Sequence, residues 1–240
     1  MSKIIELKCL KHKYPDKTEV SACGLDFVVE KGEKVGLVGG NGSGKTTLIL
    51  HLLGMLEPAE GSVSVLEVDP YKDFSKIGKL VGVVMQSVEE QLVGPTVLED
   101  IKFSLLNYGY DKEEIEKRTT EVIERLDIEE IKNKIIHYLS GGQKKKTALA
   151  GALVLKPDLL ILDEAFNQID PDGLKRVIDL INDYCQKYEM SVVMAVSNKE
   201  DIKYFDKIYL LEDGEITFGG SRKEFENLDI DNQFCFHGNN

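Results

Sequence analysis

Short apolar runs alternate with segments of helical periodicity along this chain, and the alternation predicts an α/β protein. Continuous apolar runs such as 159–162 and 191–196 are typical of strands buried on both faces of a parallel sheet. Residues 25–29 instead alternate between apolar and polar, which predicts an antiparallel flap. The predicted strands are 4–14, 24–30, 34–38, 60–65, 79–85, 159–162, 191–196, 206–211 and 215–218.

From about residue 96 to residue 138 the strand signals stop and helical signals take over. Asp111 is placed to cap a helix whose apolar residues recur at helical spacing, namely Ile115, Val122, Ile123 and Leu126. We therefore expect a helical insertion within the α/β protein. It ends where the next predicted helix, 144–155, begins.

The segment between the predicted strand 34–38 and the predicted helix 47–56 fits the phosphate-loop pattern G-x-x-x-x-G-K-[ST]. Its glycines let backbone N–H groups and the positive end of the helix face polyphosphate oxygens. Lys45 is expected to neutralise the terminal phosphates and Thr46 to offer its hydroxyl to Mg²⁺. The residues predicted to contact the nucleotide here are Gly39, Asn41, Gly42, Ser43, Gly44, Lys45, Thr46 and Thr47.

A second glycine-rich helix start lies at 139–143, with the sequence L-S-G-G-Q. Ser140 followed by Gly141 and Gly142 creates another helix end suited to an anion. A chain with two such ends and one complete phosphate loop suggests that one end serves a neighbouring molecule's nucleotide.

Two carboxylates, Asp163 and Glu164, end the apolar run 159–162, at the edge where α/β sheets bind ligands. Asp163 is suited to hold Mg²⁺ through water, and Glu164 to orient the attacking water or take its proton. Gln86, at another strand end, could ligate Mg²⁺ or orient water. Asp170 is read first as the N-cap of the next helix, with a subunit contact as an additional role.

Two further features leave alternatives open. Tyr14, an aromatic before the phosphate loop, is either an adenine-stacking platform or a strand-end residue that packs locally. The sequence 198–201 spells N-K-x-D, by which GTPases read guanine. No convincing D-x-x-G switch accompanies it, so the guanine interpretation is disfavoured.

Composition narrows the function further. The 240 residues are 42% hydrophobic, enough for a real core, and the formal net charge is −12, which argues against a nucleic-acid partner. The one basic run, 144–146, is interpreted as a solvated helix face. No apolar run approaches the ~18 residues that span a bilayer, so a soluble chain is expected, with any membrane connection made through a partner. Four scattered cysteines, Cys9, Cys23, Cys185 and Cys235, indicate reduced thiols in a cytoplasm.

With these motifs in order and at their spacing, the chain resembles an ABC-transporter ATP-binding subunit from nearly end to end. The motifs are the phosphate loop, Gln86, L-S-G-G-Q at 139–143 and L-L-I-L-D-E at 159–164. The segment from Gln86 to Phe103 is similar to that of the energy-coupling-factor (ECF) and cobalt/nickel-uptake ATPases. There, Ser87-Val88 replace the usual Asn-Pro.

The resemblance implies a P-loop NTPase (RecA-like) core with an N-terminal antiparallel β subdomain, at 1–86 and 156–240, and an inserted α-helical signature subdomain at 87–155. It implies a dimer, hetero- or homodimeric, in which each ATP lies between one subunit's phosphate loop and the other's signature residues Ser140, Gly141, Gly142 and Gln143. It also implies an adenine platform at Tyr14, a Mg²⁺ ligand and hinge at Gln86, and an interface residue at Asp170. The helical insertion would dock on an integral membrane subunit at the cytoplasmic face of the cell membrane.

Departures from the family pattern bear on catalysis. Where the family has a histidine that contacts the γ-phosphate and the catalytic glutamate, this chain has Asn198. Lys146 replaces an arginine that would make planar, bidentate contacts. We expect a slow site of its own and a heterodimer with a sister ATPase that keeps the histidine. A nucleotide-gated subunit with little turnover and a soluble ABC ATPase outside transport are the alternatives.

Overall fold

The computed structural model describes residues 2–14, 19–22 and 25–228, and the chain divides into two compact units. The first unit comprises Met1–Gly78 and Ser191–Asn240, and the second comprises Lys79–Met190. In chain order the strands and α-helices are β1 (Lys3–Lys13), β2 (Glu19–Ala22), β3 (Phe27–Glu30), β4 (Lys34–Val38), α1 (Lys45–Leu52), β5 (Glu60–Val65), α2 (Pro70–Asp73), β6 (Val81–Val84), α3 (Val97–Asn107), α4 (Lys112–Leu126), α5 (Gly141–Leu153), β7 (Leu159–Asp163), α6 (Pro171–Tyr188), β8 (Ser191–Val196), β9 (Lys207–Glu212), β10 (Glu215–Ser221) and α7 (Arg222–Glu226). Short 3₁₀ helices are Phe74–Lys76, Val88–Glu90, Glu129–Ile131, Ile136–Tyr138 and Lys199–Tyr204.

An antiparallel sheet forms one layer of the first unit. Its central strand β1 pairs with β2, β3 and β5, all antiparallel. The alternating pattern buries Ile5, Leu7 and Leu10 of β1 on one face. The antiparallel β subdomain expected near the N-terminus is therefore confirmed.

The phosphate-loop strand β4 lies inside the second sheet of the first unit. It pairs in parallel with β8 on one side and β9 on the other, and β10 continues antiparallel from β9. Every residue of β8 is buried, as the continuous apolar run predicts. The β9–β10 turn at Asp213 and Gly214 has positive φ at both residues, which suits the twist of a tight hairpin.

The second unit combines the parallel pair β6–β7 with four helices, α3 to α6. All five residues of β7 are buried. Asp111 caps α4 by accepting the Glu114 N–H at 2.9 Å, and the predicted apolar stripe of α4 is its buried face. The helical insertion is thus confirmed. Among the described residues, no helix is both long and apolar enough to cross a bilayer.

The expectations for one helix and one cysteine need correction, and three others fall on residues that the structure does not describe. The predicted helix 47–56 begins at Lys45 and ends at Leu52, because Gly54 takes φ +66° and lies against the Pro70 backbone carbonyl. Cys9 is disulfide-bonded, so the expectation of reduced thiols is wrong for this residue, whereas Cys185 keeps its thiol. Cys23, Cys235 and the predicted strand start at Gly24 lie outside the described residues.

A histidine pair packs beside the phosphate-loop helix in the first unit. The rings of His12 on β1 and His51 on α1 meet edge to face, with centroids 4.9 Å apart. The His51 side chain is 1% exposed. Burial, and then the neighbouring charge of His12, lower the pKa of His51 to about 4, so the folded protein holds this ring neutral.

Acidification is expected to destabilise the protein through His51. The ordinary pKa of 6.5 applies in the unfolded chain, so the unfolded state binds the proton first, and this contribution to stability is lost as pH falls from 6.5 towards 4. At pH 5 the loss is about 2 kcal/mol. Urea unfolding at pH 7.5 and pH 5 should show that wild type loses about 2 kcal/mol more than His51→Phe; equal losses would contradict the assignment.

Candidate nucleotide site

The phosphate loop joins β4 to α1 in the first unit, and its shape depends on glycine. Gly42 and Gly44 have φ of +79° and +103°, in the left-handed region that glycine adopts without strain. A Cβ on Gly39 would lie 2.4 Å from the Leu211 carbonyl oxygen. The Lys45 Nζ donates to the carbonyl oxygens of Gly39 at 2.8 Å and Gly40 at 2.9 Å, so its cation is held back over the loop.

The loop offers groups that suit a phosphate. The Ser43 hydroxyl is buried and has no hydrogen-bond partner in the described part of the chain, which leaves it a donor for an anion. Asn41, Gly42 and Thr46 are exposed around it. Gly44 precedes α1 and has no side chain to cap the helix, so ligand oxygens can take that place.

Tyr14 lies beside the same helix. Its hydroxyl is 2.8 Å from Thr47 Oγ1, and its half-buried ring contacts His12 with a centroid distance of 4.5 Å. These contacts place the ring next to the start of α1. They are equally consistent with local packing and with a platform beside the loop.

In the second unit, the structure brings Glu164, Gln86 and Asn167 together. Glu164 follows the buried Asp163 at the end of β7 and takes φ +49°, which is uncommon for a residue with a side chain. Its Oε2 accepts hydrogen bonds from the side-chain amides of Gln86 at 3.4 Å and Asn167 at 3.3 Å. The carboxylate is therefore oriented by two amide donors, of which the sequence motifs indicate only Gln86.

The signature helix α5 begins with a closed capping box. Ser140 Oγ accepts the Gln143 N–H at 3.3 Å, and Gln143 Oε1 accepts the Ser140 N–H at 3.1 Å. A Cβ on Gly141 or Gly142 would lie about 2.5 Å from atoms of Gln168 (2.4 Å from its Oε1 and 2.5 Å from its carbonyl oxygen, respectively). The two glycines thus permit a close approach of the segment before α6, a packing requirement in addition to any contact with an anion.

Asp170 caps α6 as predicted, accepting the Gly173 N–H at 2.8 Å. Its other oxygen is 3.2 Å from the Lys146 Nζ. The Gly173 N–H, and then Lys146, lower the pKa of this carboxyl. The Asp170 side chain is 62% exposed, which leaves it accessible to a neighbouring molecule.

The interpretation of the basic run 144–146 as a solvated face is wrong, because the Lys144 and Lys146 side chains are only 17% and 15% exposed and Lys145 is buried. The Lys145 side chain is buried, and its Nζ donates to the backbone carbonyl oxygens of Gln86 at 3.0 Å and Glu164 at 3.3 Å. Burial lowers the pKa of Lys145, while the charges of Asp163 and Glu164 oppose the shift. Sequence reasoning missed this residue because a run of three lysines gives no sign of what each one contacts in the fold.

Two more residues without a predicted role order the loop after Gln86. Gln91 reaches back to β6, where its Oε1 accepts the Met85 N–H at 3.1 Å and its Nε2 donates to the Val83 carbonyl at 2.5 Å. Asp100 Oδ1 accepts the N–H groups of Val93 and Gly94, both at 2.8 Å. Both residues belong to the segment that resembles the ECF ATPases, so that resemblance is the sequence signal that could have identified them.

Asn198 follows β8 in the first unit and is exposed. Its Oδ1 accepts the Glu200 N–H at 3.1 Å and so caps the 3₁₀ helix Lys199–Tyr204. The last part of the N-K-x-D pattern, Asp201, is buried. Burial raises the pKa of the Asp201 carboxyl.

The proposed metal ligands are divided between the two units, with Thr46 in the first and Gln86 and Asp163 in the second. Among residues 2–14, 19–22 and 25–228, no group of three or more His, Cys, Asp and Glu could hold a metal. A hydroxyl, an amide oxygen and one carboxylate suit Mg²⁺, which keeps water and binds phosphates instead of filling a protein cage. Each of these donors is by itself of a type that Mg²⁺ uses when it arrives with a nucleotide.

Comparison with known proteins connects these motifs to one family. The family model described as ABC transporter matches residues 23–167. The energy-coupling factor transporter ATP-binding protein EcfA of Methanocaldococcus jannaschii is 40% identical over 226 residues, which is 92% of this chain and 80% of that protein. EcfA of Methanosphaera stadtmanae is 38% identical over 93% of this chain and 81% of its own length.

Solved structures agree with these relatives. The structure of cbiO1 from Clostridium perfringens, described as part of the ABC transporter complex cbiONQ, has a TM-score of 0.82 and 30% identity. The match covers 94% of this chain and 91% of cbiO1. A dimeric ATP-binding cassette bound to ADP and phosphate has a TM-score of 0.81 at 23% identity, over 91% of this chain and 98% of that one, and shares the fold.

Proposed function

Because this chain belongs to the ABC transporter family, we propose that it binds and hydrolyses ATP to power a membrane importer of the energy-coupling-factor type. The observation that carries the proposal is the pairing of one phosphate loop with a second glycine-rich helix start, at α5, in a single chain. The EcfA relatives, matched over more than 90% of this chain, support the ECF assignment. The cargo class expected for such importers is a vitamin or a cobalt or nickel ion.

Each side chain of the site has a proposed task. The loop from Gly39 to Thr46 binds the phosphates through backbone N–H groups, the Ser43 hydroxyl and the Lys45 cation. Glu164 orients the attacking water and accepts its proton, while Gln86 and Asn167 hold the carboxylate. Thr46, Gln86 and Asp163, the last through water, would hold Mg²⁺, which supplies neutralising charge at the β- and γ-phosphates.

The site is completed in a dimer. Each ATP lies between the phosphate loop of one subunit and Ser140, Gly141 and Gly142 of the other, whose helix end faces the anion. Exposed Asp170 is the proposed interface residue. The partner is a sister ATPase that retains the histidine replaced here by Asn198, so that this chain completes the partner's faster site.

The membrane subunit docks on the helical insertion. Phe103 and Leu106 on α3 are 46% and 61% exposed, and Val93 before α3 is 62% exposed. Large apolar side chains that stay in water are typical of a protein contact. The chain is then a peripheral protein of the cytoplasmic face of the membrane, with no nucleic-acid partner.

Co-purification tests this function. A tagged chain co-expressed with the products of its flanking genes is expected to retain an integral membrane protein and a second ATPase. Leu106→Glu should release the membrane protein, because burying an unpaired carboxylate is costly. The control is Met55→Glu, at a residue 64% exposed in the first unit. Failure to retain any membrane protein, or equal retention by Leu106→Glu, would favour a soluble ABC ATPase or another docking surface.

A further inference from the structure

The ammonium of Lys145 joins the backbones of Glu164, the proposed base, and Gln86, whose side chain holds the Glu164 carboxylate. We call Glu164 and Gln86 the hydrolytic pair. Lys145 lies on α5, one turn after the capping Ser140, and donates to the carbonyls of Gln86 and Glu164. We propose that Lys145 is a positioning residue for hydrolysis: it holds the Glu164 carboxylate and the Gln86 amide in register with the signature helix. The proposal rests on the function proposed above, in which Glu164 activates the water.

The two acceptors explain why this contact matters for catalysis. Glu164 has φ +49°, a strained conformation for a residue with a Cβ, which persists only when neighbouring groups hold it. The Lys145 bond to its carbonyl at 3.3 Å is one such restraint. The other bond, at 3.0 Å, holds Gln86, whose side-chain amide is 3.4 Å from Glu164 Oε2.

The three consecutive lysines are engaged differently. Lys144 pairs with the Glu89 carboxylate at 3.1 Å and Lys146 with Asp170 at 3.2 Å, and both acids are mostly exposed. Lys145 is 4% exposed, and its ammonium donates hydrogen bonds to two backbone carbonyls. Each of these two ion pairs has an exposed acid whose charge water screens, whereas a buried cation removed from two carbonyls leaves the acceptors unsatisfied.

A consequence is a direct link between the nucleotide contact and the chemistry. The same helix carries Ser140 and Gly142 at its start and Lys145 one turn later. When a nucleotide on a partner subunit pulls this helix start, the movement reaches the carbonyls of Gln86 and Glu164 through one rigid turn. The chain's own hydrolytic pair is thus positioned by its engagement of the partner's ATP.

Kinetics of the full chain in its assembled complex test the role, with the sister ATPase's own catalytic carboxylate replaced by an amide so that turnover reports the site of this chain. Lys145→Met keeps the length and apolar stem of the side chain and removes its hydrogen-bond donors. We expect kcat to fall about 10- to 100-fold, because misplacing a catalytic group by about 1 Å costs about 100-fold in rate. KM for ATP should change less than about twofold. Lys145→Arg, which retains donors and charge, should recover part of kcat. Lys144→Met, the neighbouring control, should stay within about twofold of wild type.

A double variant separates this role from a general effect on α5. If Lys145 acts through Glu164, Lys145→Met should add little to the loss caused by Glu164→Gln, as measured by single-turnover hydrolysis of radiolabelled ATP. The proposal would be overturned if the double variant lost the product of the two single-variant losses. An unchanged kcat in Lys145→Met, or an equal loss in Lys144→Met, would overturn it as well. If Lys145→Met does not fold, Lys145→Gln carries the same test. A complex without hydrolysis in wild type would instead overturn the proposed function.

Discussion

Replacing Glu164 by glutamine is expected to lower the rate of ATP hydrolysis by about 10²- to 10³-fold and to leave ATP binding unchanged. A glutamine has nearly the same shape as the glutamate. Its amide oxygen can still accept the hydrogen bonds that Gln86 and Asn167 donate to Glu164 Oε2 in the wild-type protein. It cannot take a proton, and general-base assistance is typically worth 10²–10⁴-fold. The loss therefore falls on kcat.

Phosphate release from the purified chain, without a sister ATPase whose faster site would dominate the rate, measures this effect. Binding of a fluorescent ATP analogue serves as the second readout, because the phosphate loop is untouched. Glu89→Gln is the matched control: it removes an exposed carboxylate of the same unit that pairs only with Lys144 among the ion pairs described. A rate within threefold of wild type in Glu164→Gln would remove Glu164 from the mechanism.

Replacing Asn198 by histidine is expected to raise hydrolysis at this chain's own site by about 10²-fold. A positioned donor at a developing charge is worth roughly 10²–10³-fold, and histidine both reaches further than asparagine and can carry charge. Asn198 is exposed, so the larger ring can be accommodated. The cost is the cap on Glu200, about 0.5–1 kcal/mol, which leaves the fold intact.

Single-turnover hydrolysis by the chain alone measures this gain, with Asn133→His, an exposed asparagine of the second unit, as control. The same assay separates a slow ATPase from a subunit that binds ATP without turning it over. If the unmodified chain hydrolyses ATP at a normal rate by itself, and Asn198→His makes no difference, the idea of an impaired site and a compensating sister subunit fails.

The sequence by itself determines the features of this protein that depend on residues close together in the chain. The phosphate loop is readable because glycine spacing, Lys45 and Thr46 are adjacent in the chain, and the strand and helix around it follow from hydrophobic periodicity. The caps at Asp111 and Asp170 depend on a backbone N–H three positions away, so the residue types at these positions predict them. Family membership follows from the order and spacing of such local motifs.

Only the tertiary structure decides which polar groups meet across long stretches of chain. Lys145 contacts residues 59 and 19 positions away, so no periodicity distinguishes it from its two neighbours. Gly141 and Gly142 are required by the approach of Gln168, and the Glu164 carboxylate accepts from Gln86, which lies 78 positions away. Burial determines whether a lysine is a solvated cation or a clamp on two carbonyls, and burial is a property of the fold.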